Sequence, residues 1–314
     1  MTTKKILIAA PRGWCAGVDR AVEIVNKALE KHGPPVYVRK QIVHNLHVVR
    51  ELESKGAVFV ESEEEVPEGG VCVLSAHGVA PSVYANAAKR SLEVIDATCP
   101  LVTKVHVEAK RFASQGKTVF LIGHEGHEEI EGTSGQAPQQ TIVIERPEDA
   151  ERFDVPNPDR VAFISQTTLA VDDTVEVVDA LRRRYPSITG PTKSDICYAS
   201  QNRQGAVKTI AGRADVVFVV GSTNSSNSNR LVEVAKEEGA EAYLIEDESQ
   251  IDPAVVERAN VIGISSGAST PEVLVERVVS FLAGKGISEI EEVTVAIEDI
   301  RFPLPSGLEP AGDR

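Results

Sequence analysis

Three cysteines, Cys15, Cys99 and Cys197, each stand in a turn that opens a helix-like stretch: "GWCAGVDRAVEIV", "DATCPLVTKVHVEA" and "SDICYASQNRQGAV". A helix start favours the thiolate, because its free N–H groups and macrodipole present positive charge. No two of the four cysteines lie within four residues of each other, so the paired spacing of a structural zinc site is missing. A cysteine hydrolase needs one thiolate rather than three equivalent ones. Three thiolates better match a 4Fe–4S cluster, normally held by four cysteines. With three protein ligands one iron stays open, and an open iron is a Lewis acid for a hydroxyl group. The bland reading of the same spacing is three buried, unreactive thiols. Cys72 lies mid-strand in "VCVLSA" and reads as a small core residue.

A second set of polar residues follows the apolar runs. His44, His77, His127, Ser225, Ser226, Asn227 and Ser269 make a donor-rich, mostly neutral group able to wrap the oxygens of a phosphate or diphosphate. Glu129, two residues beyond His127, becomes a proton donor if it is desolvated, since burial raises a carboxyl pKa. Otherwise it is an exposed helix-start glutamate, as Glu128 and Glu131 read. Thr167, in "SQTTLAVDDT", can relay that proton or bind a substrate hydroxyl, and Thr168 is its equal on local chemistry. In "GHEGHEE", His124 and His127 are three apart around a glycine, which is not the helical spacing of a zinc hydrolase. Neither a GxGxxG after a strand nor a GxxxxGK[ST] occurs, so no bound NAD or ATP is expected.

The elements that must position these residues repeat. "KILIAA", "VYVRK", "AVFVE", "VCVLSA", "TVFLIG", "TIVIE", "VAFISQ", "VVFVVG", "AYLIE" and "VIGISS" read as strands alternating with helices, the pattern of an α/β fold with parallel sheets. They fall into three copies of one plan: cysteine and helix, strand and polar loop, helix, strand, acidic stretch, strand and second polar loop, helix. Cys15 to His44 spans 29 residues, Cys99 to His127 spans 28 and Cys197 to Ser225 spans 28. From the same cysteines to His77, Thr167 and Ser269 the spans are 62, 68 and 72. The spacing predicts three related α/β domains at 1–96, 97–194 and 195–283, with a tail at 284–314. Ligands of open parallel sheets bind beyond the carboxyl ends of the strands. Three small sheets arranged in pseudo-threefold fashion would therefore gather cysteines and loops around a central iron–sulfur site. The helix after Cys197 is the weakest, with Gly205 inside it, and the tail offers one strand, "TVAI", before a Pro/Gly-rich end.

Composition agrees. The 314 residues are 42% hydrophobic but only 4% aromatic, so the core must be Val, Ile, Leu and Ala. A net charge of −14 argues against nucleic acid or an anionic membrane as partner. The apolar run in "MTTKKILIAAP" is too short for a signal peptide or membrane span, which points to the cytoplasm and a reducing compartment.

The segments "PRGWCAGVDRAVEIV", "VHN", "SAHGV", "DATCPLVTKVH", "IGHEGHEEIEGTSGQ", "SQTTLAVDDT", "DICYASQNRQ" and "GSTNSSNSNRL" resemble, in order, the signatures of the IspH/LytB family of 4-hydroxy-3-methylbut-2-enyl diphosphate reductases. The resemblance implies the last step of the non-mevalonate isoprenoid pathway, in which an allylic hydroxyl is removed reductively to give isopentenyl and dimethylallyl diphosphates. It implies three α/β domains around a 4Fe–4S cluster held by Cys15, Cys99 and Cys197, with the substrate hydroxyl approaching the open iron. It assigns the diphosphate contacts to His44, His77, His127, Ser225, Ser226, Asn227 and Ser269. It makes Glu129 the proton donor and chooses Thr167 over Thr168. Trp14 stands where the family pattern has Phe, and His47 receives no role. With no flavin or nicotinamide motif, electrons must come singly from an external donor, a ferredoxin or flavodoxin. Such carriers are acidic, so docking requires a basic patch around Arg12, Arg20 or Lys104. The competing readings are a non-redox iron–sulfur dehydratase and an iron–sulfur electron carrier or sensor, for which Cys72 would be the fourth ligand.

Overall fold

Nearly continuous apolar runs belong to strands buried on both faces, and parallel sheets covered by helices bury them that way. The computed structural model describes residues 4–308, which contain twelve strands in three all-parallel sheets. The strands are β1 (Lys5–Ala10), β2 (Val36–Arg39), β3 (Ala57–Val60), β4 (Val71–Leu74), β5 (Glu93–Asp96), β6 (Thr118–Ile122), β7 (Thr141–Ile144), β8 (Val161–Ser165), β9 (Val216–Val220), β10 (Glu241–Ile245), β11 (Val261–Ser266) and β12 (Glu289–Thr294). The sheet orders are β3-β2-β4-β5, β7-β6-β8 and β10-β9-β11-β1-β12. Among the described residues no helix is long and apolar enough to cross a membrane.

The chain divides into two compact units. The first holds the N-terminal residues through Cys15, His44–Leu46 and Tyr198–Ile300, and with them the five-stranded sheet. The second holds Ala16–Val43, His47–Cys197 and the residues from Arg301, with the four- and three-stranded sheets. In the five-stranded sheet successive side chains are buried on opposite faces. Ile6, Ile8, Phe218, Ile262 and Ile264 pack with Leu274, Val275, Val278 and Leu282 of the helix Glu272–Gly284. Leu7, Ala9, Val217 and Val219 pack with Val207, Ile210, Leu231 and Ala235 from the helices Tyr198–Ala211 and Ser226–Glu237.

Each sheet has one place where the chain reverses its direction of progress across the strands. It lies between β2 and β4, between β6 and β8, and between β9 and β11. Loops leaving two such strands diverge to opposite sides and open a crevice at their carboxyl ends. His44, His77, His127, Thr167, Ser225 and Ser269 all sit in these six loops. The next strand outward carries the cysteine. β5, beside β4, leads to Cys99, and β1, beside β11, leads to Cys15. Thr189, in an isolated parallel bridge to Ala162 of β8, leads to Cys197.

All ten runs that read as strands are strands, and two more were not legible. β5 is one; β12 is the other, lying upstream of the expected "TVAI" and pairing only with β1. β1, grouped by sequence with residues 1–96, is hydrogen-bonded into the sheet of β9, β10 and β11 instead. Each cysteine thus follows a segment paired into the sheet whose second polar loop it meets, whereas the sequence reading has it opening the next copy. The helix Tyr198–Ala211 runs unbroken through Gly205, which has open space around it.

Candidate functional site

The three cysteines share one local design. Cys15 and Cys197 directly precede the helices Ala16–His32 and Tyr198–Ala211, and Cys99 is the N-cap of Pro100–Ser114. Each donates its backbone N–H to a carbonyl of the second polar loop of its own sheet: Cys15 to Ala268 at 3.2 Å, Cys99 to Ala76 at 3.0 Å and Cys197 to Thr167 at 3.0 Å. All three are partly exposed and outside any disulfide, whereas Cys72 is wholly buried. Burial pushes the Cys72 thiol up to about 11, so it offers no thiolate at neutral pH. Three accessible thiols at helix starts fit the donor chemistry that an iron–sulfur group takes, and the buried Cys72 fits it less well.

In the first unit, the loops after β9 and β11 form a neutral, donor-rich surface. Ser225 caps the helix Ser226–Glu237, its hydroxyl accepting from the Ser228 N–H at 3.3 Å and from the Ser228 hydroxyl at 3.0 Å. Asn227 Oδ1 accepts from the Ala268 N–H at 2.9 Å, and its amide nitrogen is buried without a protein partner. Ser269 donates to the His44 carbonyl at 2.9 Å, and Asn224 Nδ2 lies 3.5 Å from His44 Nδ1. Gly267 is needed here: a Cβ on it would stand 2.0 Å from Ser228 Oγ. A helix N-terminus flanked by hydroxyls and an orphaned amide donor is suited to phosphate oxygens.

In the second unit, the loops after β6 and β8 hold a buried carboxyl. Glu129 is 2% exposed. It accepts from the Thr167 N–H at 2.6 Å and the Thr167 hydroxyl at 2.9 Å. Burial pushes its pKa up to about 7 against those two bonds, with the charge of Asp195 adding to the rise. Asp195 is itself buried, accepting from the Ser165 N–H at 2.9 Å and pairing with Lys104 at 2.9 Å. Thr168 accepts from Gln166 Nε2 at 2.8 Å. His127 caps the helix Glu128–Ser134, its Nδ1 accepting from the Glu129 N–H at 3.1 Å, so a neutral ring carries its proton on Nε2. His77 meets His127 edge to face at 5.8 Å and pairs through Nδ1 with Glu128 at 3.0 Å. Burial, with the charge of Lys40 added, lowers His77 to about 4, leaving it neutral until an anion arrives. Gly132 lets the helix Glu128–Ser134 approach the loop after β4: a Cβ there would stand 2.7 Å from the Gly78 carbonyl oxygen.

The family model described as LytB protein matches residues 6–283. The chain belongs to the LytB family. It is 58% identical over 306 residues to a 4-hydroxy-3-methylbut-2-enyl diphosphate reductase of Acidothermus cellulolyticus, covering 97% of this chain and 90% of that one. It is 56% identical to the reductase of the same name from Tropheryma whipplei, covering 97% and 98%. A solved reductase structure from Plasmodium falciparum superposes with a TM-score of 0.95 at 36% identity, covering 98% of this chain and 97% of that one.

Within this LytB chain the expected site residues fall into two groups, one in each unit. His44, Ser225, Asn227, Ser269 and Cys15 lie together in the first, while Cys99, His77, His127, Glu129, Thr167 and Cys197 lie in the second. Glu128 departs from expectation: it is mostly buried and paired with His77, not an exposed spare, whereas Glu131 is exposed and pairs with Lys40. Sequence reasoning also missed Asp195, Arg203 and the role of Lys104. Nothing in their local pattern marks them, because each is defined by a partner far along the chain.

Proposed function

We propose that this chain is a 4-hydroxy-3-methylbut-2-enyl diphosphate reductase that removes the allylic hydroxyl of its substrate to give isopentenyl and dimethylallyl diphosphates. The observation that carries the reading is Glu129, a buried carboxyl that keeps its proton near neutrality and is held by Thr167 through both oxygens. The reaction consumes two electrons and two protons: the C–O bond breaks, one proton leaves with the oxygen as water, and the other is delivered to carbon. Hydroxide is a poor leaving group, so a donor that is protonated at pH 7 yet easily deprotonated lowers the barrier most.

Cys15, Cys99 and Cys197 would hold a 4Fe–4S cluster with one iron lacking a protein ligand, a group that supplies single electrons and a Lewis-acid site when bound. The 1–96, 97–194 and 195–283 segments are read as three α/β domains, except that β1 belongs to the sheet of the third. The chain's own residues bind, orient and protonate. Ser225, Ser226, Asn227, Ser269 and His44 take the diphosphate, with the orphaned Asn227 amide offering a donor. His77 and His127 join them, and the arriving anion raises His77 back toward its charged form. Thr167 fixes the Glu129 carboxyl and shares its proton, which places that proton on one defined oxygen pair.

Electrons are supplied by an external ferredoxin or flavodoxin in the cytosol. Arg12 is paired with Glu272 and Glu292, and Lys104 with Asp195, so neither lends free positive charge to a donor. Of the three cations, Arg20 is left for that role, its hydrogen bonds going to the carbonyls of Thr98 and Pro303. The test is anaerobic turnover of 4-hydroxy-3-methylbut-2-enyl diphosphate with a reduced viologen dye. Two equivalents of dye oxidised for each C5 diphosphate formed is the expected result. Loss of water from the substrate with no dye oxidised would sink the reductase in favour of a dehydratase.

A further inference from the structure

Each cysteine opens a helix, and in the second turn of that helix a cation reaches the residues leading into another of the three cysteines. Arg20 stands five residues after Cys15, Lys104 five after Cys99, and Arg203 six after Cys197. Arg20 Nη1 donates to the Thr98 carbonyl at 3.1 Å, the peptide immediately before Cys99. Lys104 Nζ donates to the carbonyls of Lys193 and Ser194 at 2.8 and 3.1 Å and to Asp195 at 2.9 Å, the residues leading into Cys197. Arg203 donates to the Gly13 carbonyl at 3.0 and 2.7 Å and to that of Trp14 at 3.2 Å, the residues leading into Cys15. The sequence is closed: the helix begun at each cysteine secures the approach to another, and all three cysteines are served once.

Side chains are barely shared among the three copies, so a cation recurring at this one place marks a constraint. The constraint is costly. Arg203 is completely buried, and a buried guanidinium is tolerated only with its charge and donors satisfied. The tail supplies the charge partner, Glu298, at 3.0 and 3.2 Å from Arg203 Nη1. Lys104 has Asp195. Arg20 differs, because both of its acceptors are peptide carbonyls. The nearby Asp96 instead accepts from the Thr98 N–H at 2.8 Å and the Tyr84 hydroxyl at 2.7 Å. Arg20 therefore hydrogen-bonds no carboxylate, although it is partly buried and lies within reach of the charges of Asp96 and then Cys99.

We propose that Arg20, Lys104 and Arg203 are positioning residues for the three thiols, and that Arg20 also supplies positive charge that favours addition of an electron to the group they hold. This rests on the iron–sulfur reading above. Removing a mechanical clasp frees a cysteine approach and speeds loss of iron. Removing the Arg20 charge disfavours the more negative, reduced state.

The test uses the full chain, reconstituted anaerobically with iron and sulfide, as wild type and as Arg20→Gln, Arg20→Lys, Lys104→Gln and Arg203→Lys. Iron and sulfide per chain, the rate of iron loss to a chelator and the reduction midpoint are measured, with thermal unfolding as the fold control. Arg20→Gln should release iron several-fold faster and, while loaded, show an about tenfold lower ratio of reduced to oxidised protein at fixed poise, a midpoint about 59 mV more negative for one electron. Arg20→Lys should restore most of it. Lys104→Gln and Arg203→Lys should release iron several-fold faster with little change in midpoint. An unchanged midpoint in Arg20→Gln overturns the electrostatic role, and wild-type release rates in Lys104→Gln and Arg203→Lys overturn the positioning role. A wild-type chain that takes up no iron overturns the cluster reading itself, a result distinct from either.

Discussion

The loops after β9 and β11 and the loops after β6 and β8 leave their sheets at equivalent places, yet one pair is lined with neutral hydroxyls and amides and the other holds a buried carboxyl. Topology explains the first fact, since a reversal of strand order opens a crevice whatever its side chains are. Charge explains the second. A diphosphate carries its charge throughout the reaction, so fixed neutral donors at a helix start suit it and need never titrate. A proton that must leave its donor needs a group whose two states are close in energy, and burying Glu129 provides that.

The sharpest break between the two halves is Glu129→Gln. Gln fills the same space and keeps a partner for Thr167 but has no proton to give, so kcat should fall by about 10²–10⁴-fold while KM changes little. Steady-state kinetics on the reconstituted enzyme checks this, and near-normal turnover would remove Glu129 from the mechanism. The same group predicts a pH dependence. Its folded pKa, about 7, lies above the ordinary 4.5, so the acid form and kcat both decline as pH rises through 7. Linkage has the same sign: the folded state is favoured below the ordinary value and loses that advantage as pH climbs to 7. Glu129→Gln should therefore match wild type in stability near pH 4 and exceed it above pH 8, by up to about 3 kcal/mol. Denaturant titrations at the two pH values measure it.

Asn227→Ala acts on the other half and should reverse the pattern. It removes the buried amide donor and the acceptor for the Ala268 N–H, so KM should rise about tenfold or more with a smaller change in kcat. Gly267→Ala reaches the same loop through the backbone by pushing on Ser228, and should also raise KM. Adding Ser228→Gly, which removes the obstructing atoms, should recover part of that loss. If Gly267→Ala instead lowers kcat alone, the loop is not an anion holder.

Much of this contrast could be read from the sequence, because strands buried on both faces write themselves as apolar runs. The two missed strands show the limit. β5, "EVID", has only two aliphatic residues between acids, and β12, "EIEEVT", is a charged edge strand held to β1 partly by Lys5 pairing with Glu289 and Glu291. The repeat was legible but its boundary was not, since only pairing reveals that β1 lies inside the sheet of residues 216–294, between β11 and β12. The cysteine, histidine, serine and threonine positions followed from spacing and from family likeness. Arg203 did not, because an arginine in a helix reads as exposed, and its burial depends on carbonyls 190 residues away. Glu128 was misread for a similar reason: its partner His77 lies 51 residues back, on another sheet.

The smallest expected effect comes from Glu128→Gln, and it separates holding a charge from tuning one. Glu128 is paired with the Nδ1 side of His77, which fixes the ring and favours its charged form once an anion occupies the other side. Its own negative charge also repels that anion. The two effects oppose, so KM at neutral pH should change by less than about fivefold, well below the change in Asn227→Ala. The pH dependence should change more clearly. Without the carboxylate the imidazolium is less stable, so the fall in 1/KM with rising pH should move to lower pH. A Glu128→Gln enzyme with an unshifted pH profile but a KM raised as far as in Asn227→Ala would mean that Glu128 only props up the loop, and that His77 binds as a neutral ring throughout.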